Sequence, residues 1–138
     1  MYEIKIKADF SAAHNLRNYR GKCERLHGHN WLVEAGFAYR SLDKAGMAVD
    51  FKAAKEALEA ILEGLDHSYL NDLKFFKNIN PTSENIAKFI YDGVKKKIQN
   101  VKSVSVWENA DSCAVYTEGA SRFPHMPDTK TNYGGTPP

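Results

Sequence analysis

The 138-residue sequence predicts a two-layer α+β domain in which four antiparallel strands carry two helices on one face. Two observations support this fold class: apolar and polar residues alternate near both ends of the chain, and two apolar stripes at helical spacing lie between them. The resulting order is strand, strand, helix, helix, strand, strand. The domain is expected to span residues 1–118, and residues 119–138, rich in Pro, Gly, Thr and Asn, are expected to form a C-terminal tail or extended arm.

The first two strands are predicted from their alternation. Apolar side chains occupy every second position from Tyr2 to Phe10, and the same alternation returns from Asn30 to Arg40. Such alternation is typical of antiparallel strands with one buried face. Between them, residues 15–24 are polar and include Gly21, which indicates a loop.

Two helices and two further strands follow. Asp50 is the expected N-cap of a helix that runs to about Leu65, and Thr82 or Ser83 is the expected N-cap of a second helix. Strands are predicted at residues 101–108 and 112–118. The apolar stripe of the first helix consists of Phe51, Ala54, Leu58, Ile61, Leu62 and Leu65.

Charge and composition exclude some classes of protein. The 19 Lys and Arg against 17 Asp and Glu leave a net charge of +2, which is too even for a typical nucleic-acid-binding protein. No apolar run is long enough to cross a membrane, and no signal-peptide pattern is present. We therefore expect a cytoplasmic protein without nucleic-acid or membrane partners, with Cys23 as a free thiol and Cys113 packed in the core. The open edges of the predicted sheet favour a homo-oligomer.

Three histidines have the spacing of a metal site. His27 and His29 are two residues apart, so on a strand both rings point the same way and can bind one ion. His14 continues the parity of the buried side of the first strand. Three imidazoles with an open fourth position are typical of catalytic zinc. Taken alone, His14 is more simply a core or surface residue, but the three together favour a metal.

Four other residues could carry chemistry. Cys23 lies four residues before His27, where a cation and basic neighbours would favour its thiolate form; a fourth metal ligand or an idle thiol are the alternatives. Asp66 can orient His67 for proton transfer, although such pairs also occur by chance at helix ends. Glu108 is predicted to face the apolar side, so it requires a bidentate donor or a salt bridge. Phosphate binding or plain solvation would explain the basic residues Arg17, Arg20, Lys22 and Arg25.

The segment from Cys23 to His29, CERLHGH, preceded by Ala12-Ala13-His14, resembles the 6-pyruvoyl-tetrahydropterin synthase family. The three-residue gap between the cysteine and HGH is similar to the 6-carboxy-tetrahydropterin synthase branch of queuosine biosynthesis, whereas the pyruvoyl branch typically has a longer gap. The resemblance covers roughly residues 3–118 in the expected order. It continues through residues 49–51, 65–67, 70–71, 80–85 and 107–108.

This resemblance implies the tunnelling fold, in which three subunits join their sheets into a barrel and two trimers stack into a homohexamer with active sites at subunit interfaces. It implies a zinc-dependent lyase that converts 7,8-dihydroneopterin triphosphate into 6-carboxy-tetrahydropterin, acetaldehyde and triphosphate. A 6-pyruvoyl-tetrahydropterin synthase and a non-catalytic zinc- or pterin-binding module are the alternatives. The implied residues are the zinc ligands His14, His27 and His29, the catalytic residues Cys23, Asp66 and His67, and the pterin-binding residues Glu108, Thr82 and Ser83.

Overall fold

A computed structural model describes residues 1–119 as one sheet and two helices, with short 3₁₀ turns between them. Apart from Gly119, the predicted tail or arm of residues 119–138 lies outside the described residues. The elements are β1 (Tyr2–His14), β2 (His27–Tyr39), α1 (Phe51–Leu62), β3 (Ser68–Tyr69), α2 (Ser83–Lys97), β4 (Val101–Asn109) and β5 (Ser112–Thr117).

The sheet has five strands in the order β3-β1-β2-β4-β5, so the predicted four-stranded antiparallel sheet is wrong. The four predicted strands are present and pair antiparallel with their neighbours. The additional strand, β3, pairs parallel to β1 through Ala12 and Ala13, because the chain returns from α1 in the direction of β1. The order of elements is therefore ββαβαββ. A strand of two residues is too short to show alternation in the sequence.

Both helices pack on one face of the sheet. Apolar side chains of β1, β2 and β4 point to this face, where they form one core with the inner sides of α1 and α2. Trp31 is completely buried in this core, and its indole N–H donates to the carbonyl of Ala12. The opposite face carries charged residues such as Lys5, Lys7 and Glu34.

Both helices begin at N-caps that the sequence predicted. The Asp50 carboxylate accepts a hydrogen bond from the amide of Lys52 at 2.9 Å, and the Thr82 hydroxyl accepts one from the amide of Asn85 at 3.1 Å. These caps satisfy amides that the first helical turn leaves without partners. Phe51 does not belong to the buried stripe, because at the first position of α1 its side chain is 63% exposed.

Within residues 1–119, no helix has both the length and the apolar character needed to span a membrane.

Candidate metal centre and cavity

Three imidazole rings meet where the β1–β2 ladder ends. The register places His14 directly opposite His27, and His29 opposite Ala12, on the face that the helices cover. The ring centroids are 4.5 Å apart for His14 and His27, 4.7 Å for His27 and His29, and 5.2 Å for His14 and His29. The structure thus brings together the three histidines that the sequence singled out as metal ligands.

Backbone carbonyls orient two of these rings. The Nδ1 of His14 is 2.8 Å from the carbonyl oxygen of Pro81, and the Nδ1 of His27 is 2.6 Å from that of Arg25. If both Nδ1–H groups donate to these carbonyls, the neutral rings carry lone pairs on their Nε2 atoms. These two Nε2 atoms face each other at 3.0 Å with no proton to share, so a cation between them would relieve their repulsion. A backbone partner on the second nitrogen is also the usual arrangement of a metal-bound histidine.

Glu108, near the end of β4, joins the histidines. Its Oε1 lies 2.9 Å from the Nε2 of His29, 3.1 Å from that of His14 and 4.0 Å from that of His27. The buried Nε2 of His29 nevertheless has no aligned hydrogen-bond partner in the structure. All four ligand atoms lie within 4.8 Å of one another. Three imidazoles and one carboxylate are a donor set that fits a divalent cation.

The electrostatics of this group favour neutral rings. Burial lowers the pKa of His14 below its usual value of 6.5, and the nearby His27 lowers it further, although Pro81 and Glu108 act in the opposite direction. Burial likewise lowers the pKa of His29, against the attraction of Glu108. Because a metal binds imidazole only in its neutral form, these shifts prepare the group for a cation near neutral pH.

A cavity of about 220 Å³ opens beside this group of three histidines and Glu108. Cys23, half-buried in the turn Lys22–Glu24, lines it together with His14, Glu108, the N-cap Thr82 and the first residue of α2, Ser83. Five sequence-predicted site residues therefore share one cavity.

Cys113 also lines this cavity, so its predicted packing in the core is wrong. It pairs with Trp107, which places it on the face of the sheet away from the helices, on an edge strand where it is exposed. Both cysteines are free thiols.

The remaining predicted pair, Asp66 and His67, is not among the residues that line this cavity. It lies beside Ser11 on β1, where the Ser11 amide donates to Asp66 and the His67 amide donates to the Ser11 carbonyl. The Nδ1 of His67 is 2.9 Å from Asp66, and the His67 side chain is 84% exposed. The hydrogen bond from the Ser11 amide lowers the pKa of Asp66, with a further contribution from His67, so the carboxylate is charged at neutral pH. The backbone of His67 has a left-handed φ of 54°.

Comparison with known proteins identifies the family. The model of the family described as 6-pyruvoyl tetrahydropterin synthase matches residues 3–119. The chain belongs to this family. The resemblance seen in the sequence is thereby confirmed.

Relatives within this family include both branches by name. The 6-carboxy-5,6,7,8-tetrahydropterin synthase of Haemophilus influenzae is 30% identical over 141 residues, covering 86% of this chain and 100% of that protein. The Synechocystis protein of the same name is 36% identical over 122 residues, covering 84% and 93%. The structure of Caenorhabditis elegans 6-pyruvoyl tetrahydropterin synthase has a TM-score of 0.78 at 26% identity and covers 86% of this chain and 96% of that chain. The chain therefore has the fold of this family.

The four-residue group predicts pH-dependent cation binding. Because the pKa values of His14 and His29 are lowered from 6.5, protons compete with a metal for these two rings only in more acidic solution. We expect the affinity of metal-free protein for Co²⁺, followed by absorption, to change little between about pH 8 and 6.5. As the pH falls through the lowered pKa values of His14 and His29, the affinity should fall by about tenfold or more per pH unit. The exposed His67→Ala variant is the matched control and should behave like the parent. An unchanged affinity in His29→Ala would contradict the assignment of this group as a metal site.

Proposed function

We propose that the chain is a 6-carboxy-5,6,7,8-tetrahydropterin synthase of queuosine biosynthesis, which converts 7,8-dihydroneopterin triphosphate into 6-carboxy-tetrahydropterin, acetaldehyde and triphosphate. The observation that carries the proposal is the cavity in which a half-buried thiol, Cys23, lies beside a three-imidazole group. Relatives of that name at 30% and 36% identity support the choice of branch. The proposal includes a cytoplasmic location, since Cys23 has to stay a free thiol.

In this proposal the resident cation is Zn²⁺, held by His14, His27 and His29. Zinc prefers a small number of nitrogen ligands and an open position when it is catalytic, which suits three neutral imidazoles. When bound, it would act as a Lewis acid on oxygen atoms of the substrate side chain and acidify the neighbouring C–H and O–H groups.

The protein residues then hold the pterin and move protons. Glu108 would accept two hydrogen bonds from the 2-amino-pyrimidinone edge, and Thr82 and Ser83 would line the ring, which fixes its distance from the reacting groups. Cys23 thiolate would take one proton from the substrate side chain. His67, oriented by Asp66, would transfer another on the opposite side.

The overall balance requires no redox cofactor. Moving protons from the side chain to the ring reduces the ring while the side chain is oxidised. Triphosphate leaves by elimination, which leaves two adjacent carbonyl groups on the side chain. Addition of one water to the carbonyl next to the ring, followed by cleavage of the bond between the two carbonyl carbons, then gives the ring-bound carboxylate and acetaldehyde. The chain would thus act as a lyase on a small pterin triphosphate.

The decisive experiment is a product assay. Purified protein given 7,8-dihydroneopterin triphosphate should release one acetaldehyde for each pterin consumed, measured by coupled alcohol dehydrogenase and by chromatography of the pterin. Cys23→Ala should lower kcat by a factor of about 100 or more while keeping its bound metal.

Two other outcomes would replace the proposal. A 6-pyruvoyl product without acetaldehyde would assign the chain to the pyruvoyl branch, which the similarity to the C. elegans structure makes the second candidate. Tight binding of metal and pterin without any product would instead identify a non-catalytic binding module.

The role of Glu108 can be separated from that of the histidines. In the proposal Glu108 binds the pterin, so Glu108→Gln should raise KM by about tenfold or more and change Zn²⁺ affinity by less than about threefold. The exposed Glu56→Gln on α1 is the charge-matched control and should resemble the parent. A loss of Zn²⁺ affinity of tenfold or more with an unchanged KM would make Glu108 a metal ligand instead.

The position of His67 leads to a proposal about assembly. A proton-transfer group has to come within hydrogen-bond reach of its substrate, yet within residues 1–119 Cys23 and His67 line different cavities. The outer edge of β1 is covered only at Ala12 and Ala13 in the described residues, and β5 is an edge strand, so both edges can pair with other copies. We therefore infer a homo-oligomer, a trimer or a dimer of trimers, in which His67 of one copy completes the cavity of another.

Mixed oligomers test this assembly. Cys23→Ala and His67→Ala should each be inactive alone. Random co-assembly of equal amounts should restore about a quarter of the parent activity, because one site in four combines an intact Cys23 with an intact His67. Mixing Cys23→Ala with the double variant should restore none. Mixed oligomers that form but stay inactive would place both groups in one chain.

A further inference from the structure

The guanidinium of Arg17 is bound by the protein itself. Its two terminal nitrogens donate to three carbonyl oxygens, those of Phe76 at 2.8 Å, Ile79 at 3.1 Å and Asn71 at 3.1 Å. A phosphate-binding arginine presents a free planar fork to its ligand. Most of the donors of Arg17 are instead committed to the backbone of residues 71–79.

Two asparagine side chains hold the backbone around Arg17. The side-chain amide of Asn80 accepts a hydrogen bond from the backbone N–H of Arg17 and donates one to the backbone carbonyl of Arg17, both at 2.8 Å. The amide of Asn71 does the same for Asn15, at 3.0 and 2.8 Å, and Asn71 is only 5% exposed. Residues 15 and 17 are thus paired as if β1 continued beyond His14. We call the Arg17 guanidinium and the two asparagine side chains the clamp.

Two hydrogen bonds connect residues 15 and 16, which the clamp holds, to the turn that carries Cys23. The Leu16 amide donates to the Cys23 carbonyl at 2.8 Å, and the Asn15 side chain donates to the Glu24 carbonyl at 3.3 Å. The turn Lys22–Glu24 buries none of its residues, so packing gives it little support. The place of Cys23 in the cavity therefore depends on residues 15–16, which the clamp holds.

We propose that Arg17 is a positioning residue that holds Cys23 in the cavity, and that it is not a ligand of the substrate phosphates. The inference rests on the proposed role of Cys23 in turnover. It leaves the exposed Arg20, Lys22 and Arg25 as the phosphate-binding candidates of this loop.

Substitution by lysine separates the two roles. Lysine keeps the charge, but its compact ammonium cannot span three carbonyls as the guanidinium does. Arg17→Lys and Arg17→Ala should therefore both lower kcat by about tenfold or more, with KM and inhibition by inorganic triphosphate within about threefold of the parent. The charge-matched control Arg40→Ala, exposed and without a hydrogen bond or ion pair among residues 1–119, should be unchanged. A raised KM and weaker triphosphate inhibition in Arg17→Ala, restored by Arg17→Lys, would overturn the inference.

A second readout does not require turnover. Iodoacetamide labelling of metal-loaded protein, followed by mass spectrometry, reports the exposure of Cys23, with Cys113 on β5 as internal reference. Release of the loop should speed labelling of Cys23 by about fivefold or more in Arg17→Lys and leave Cys113 unchanged. An unchanged Cys23 rate would refute the positioning role. A parent without turnover but with this difference in labelling would reject the proposed function and keep the clamp.

If the Arg17 variants do not fold, the variant Tyr69→Phe provides an independent test. The Tyr69 hydroxyl donates to the Asn15 side chain, and its removal weakens the connection to Glu24 without disturbing the guanidinium. Faster labelling of Cys23 together with a lower kcat is expected. Parent-like values for both would contradict the proposed connection from Asn15 through Glu24 to Cys23.

Discussion

The register between β1 and β2 is the constraint on which the site depends. The two strands, 13 residues each, pair one to one from Tyr2 and Tyr39 to His14 and His27 without a bulge. Because side chains alternate along a strand, a slip of one residue would turn the histidines of one strand to the opposite face. The long apolar ladder below therefore fixes which imidazoles meet at its end.

Below the rings, a buried indole completes the arrangement. Trp31 lies 4.8 Å from the ring of His14 and 5.1 Å from that of His29, both edge to face. It excludes water from one side of the group, which raises the cost of a positive charge on the rings and strengthens their interaction with a cation held by the other side. The core therefore orients the histidines before a ligand binds. The cost is repulsion between the Nε2 lone pairs of His14 and His27.

Local patterns predicted much of this molecule. Alternation gave β1 and β2, short polar residues gave the caps at Asp50 and Thr82, and parity gave the shared face of the histidines. β3 was missed because its two residues show no period. The exposure of Cys113 was missed because the face to which it points depends on its pairing with Trp107 on the neighbouring strand β4. The clamp was missed because its hydrogen bonds join residues 54 to 63 positions apart, which no local pattern records.

The left-handed backbone of His67 has a consequence for how this protein can change. An L-residue other than glycine in this conformation is destabilised by on the order of 1 kcal/mol. Here the hydrogen bond from the His67 amide to the Ser11 carbonyl and the 2.9 Å contact of its Nδ1 with Asp66 keep it in place. Glycine would relieve that strain and remove the imidazole in the same step. Relief of backbone strain and the proposed proton transfer thus place opposite demands on this one residue.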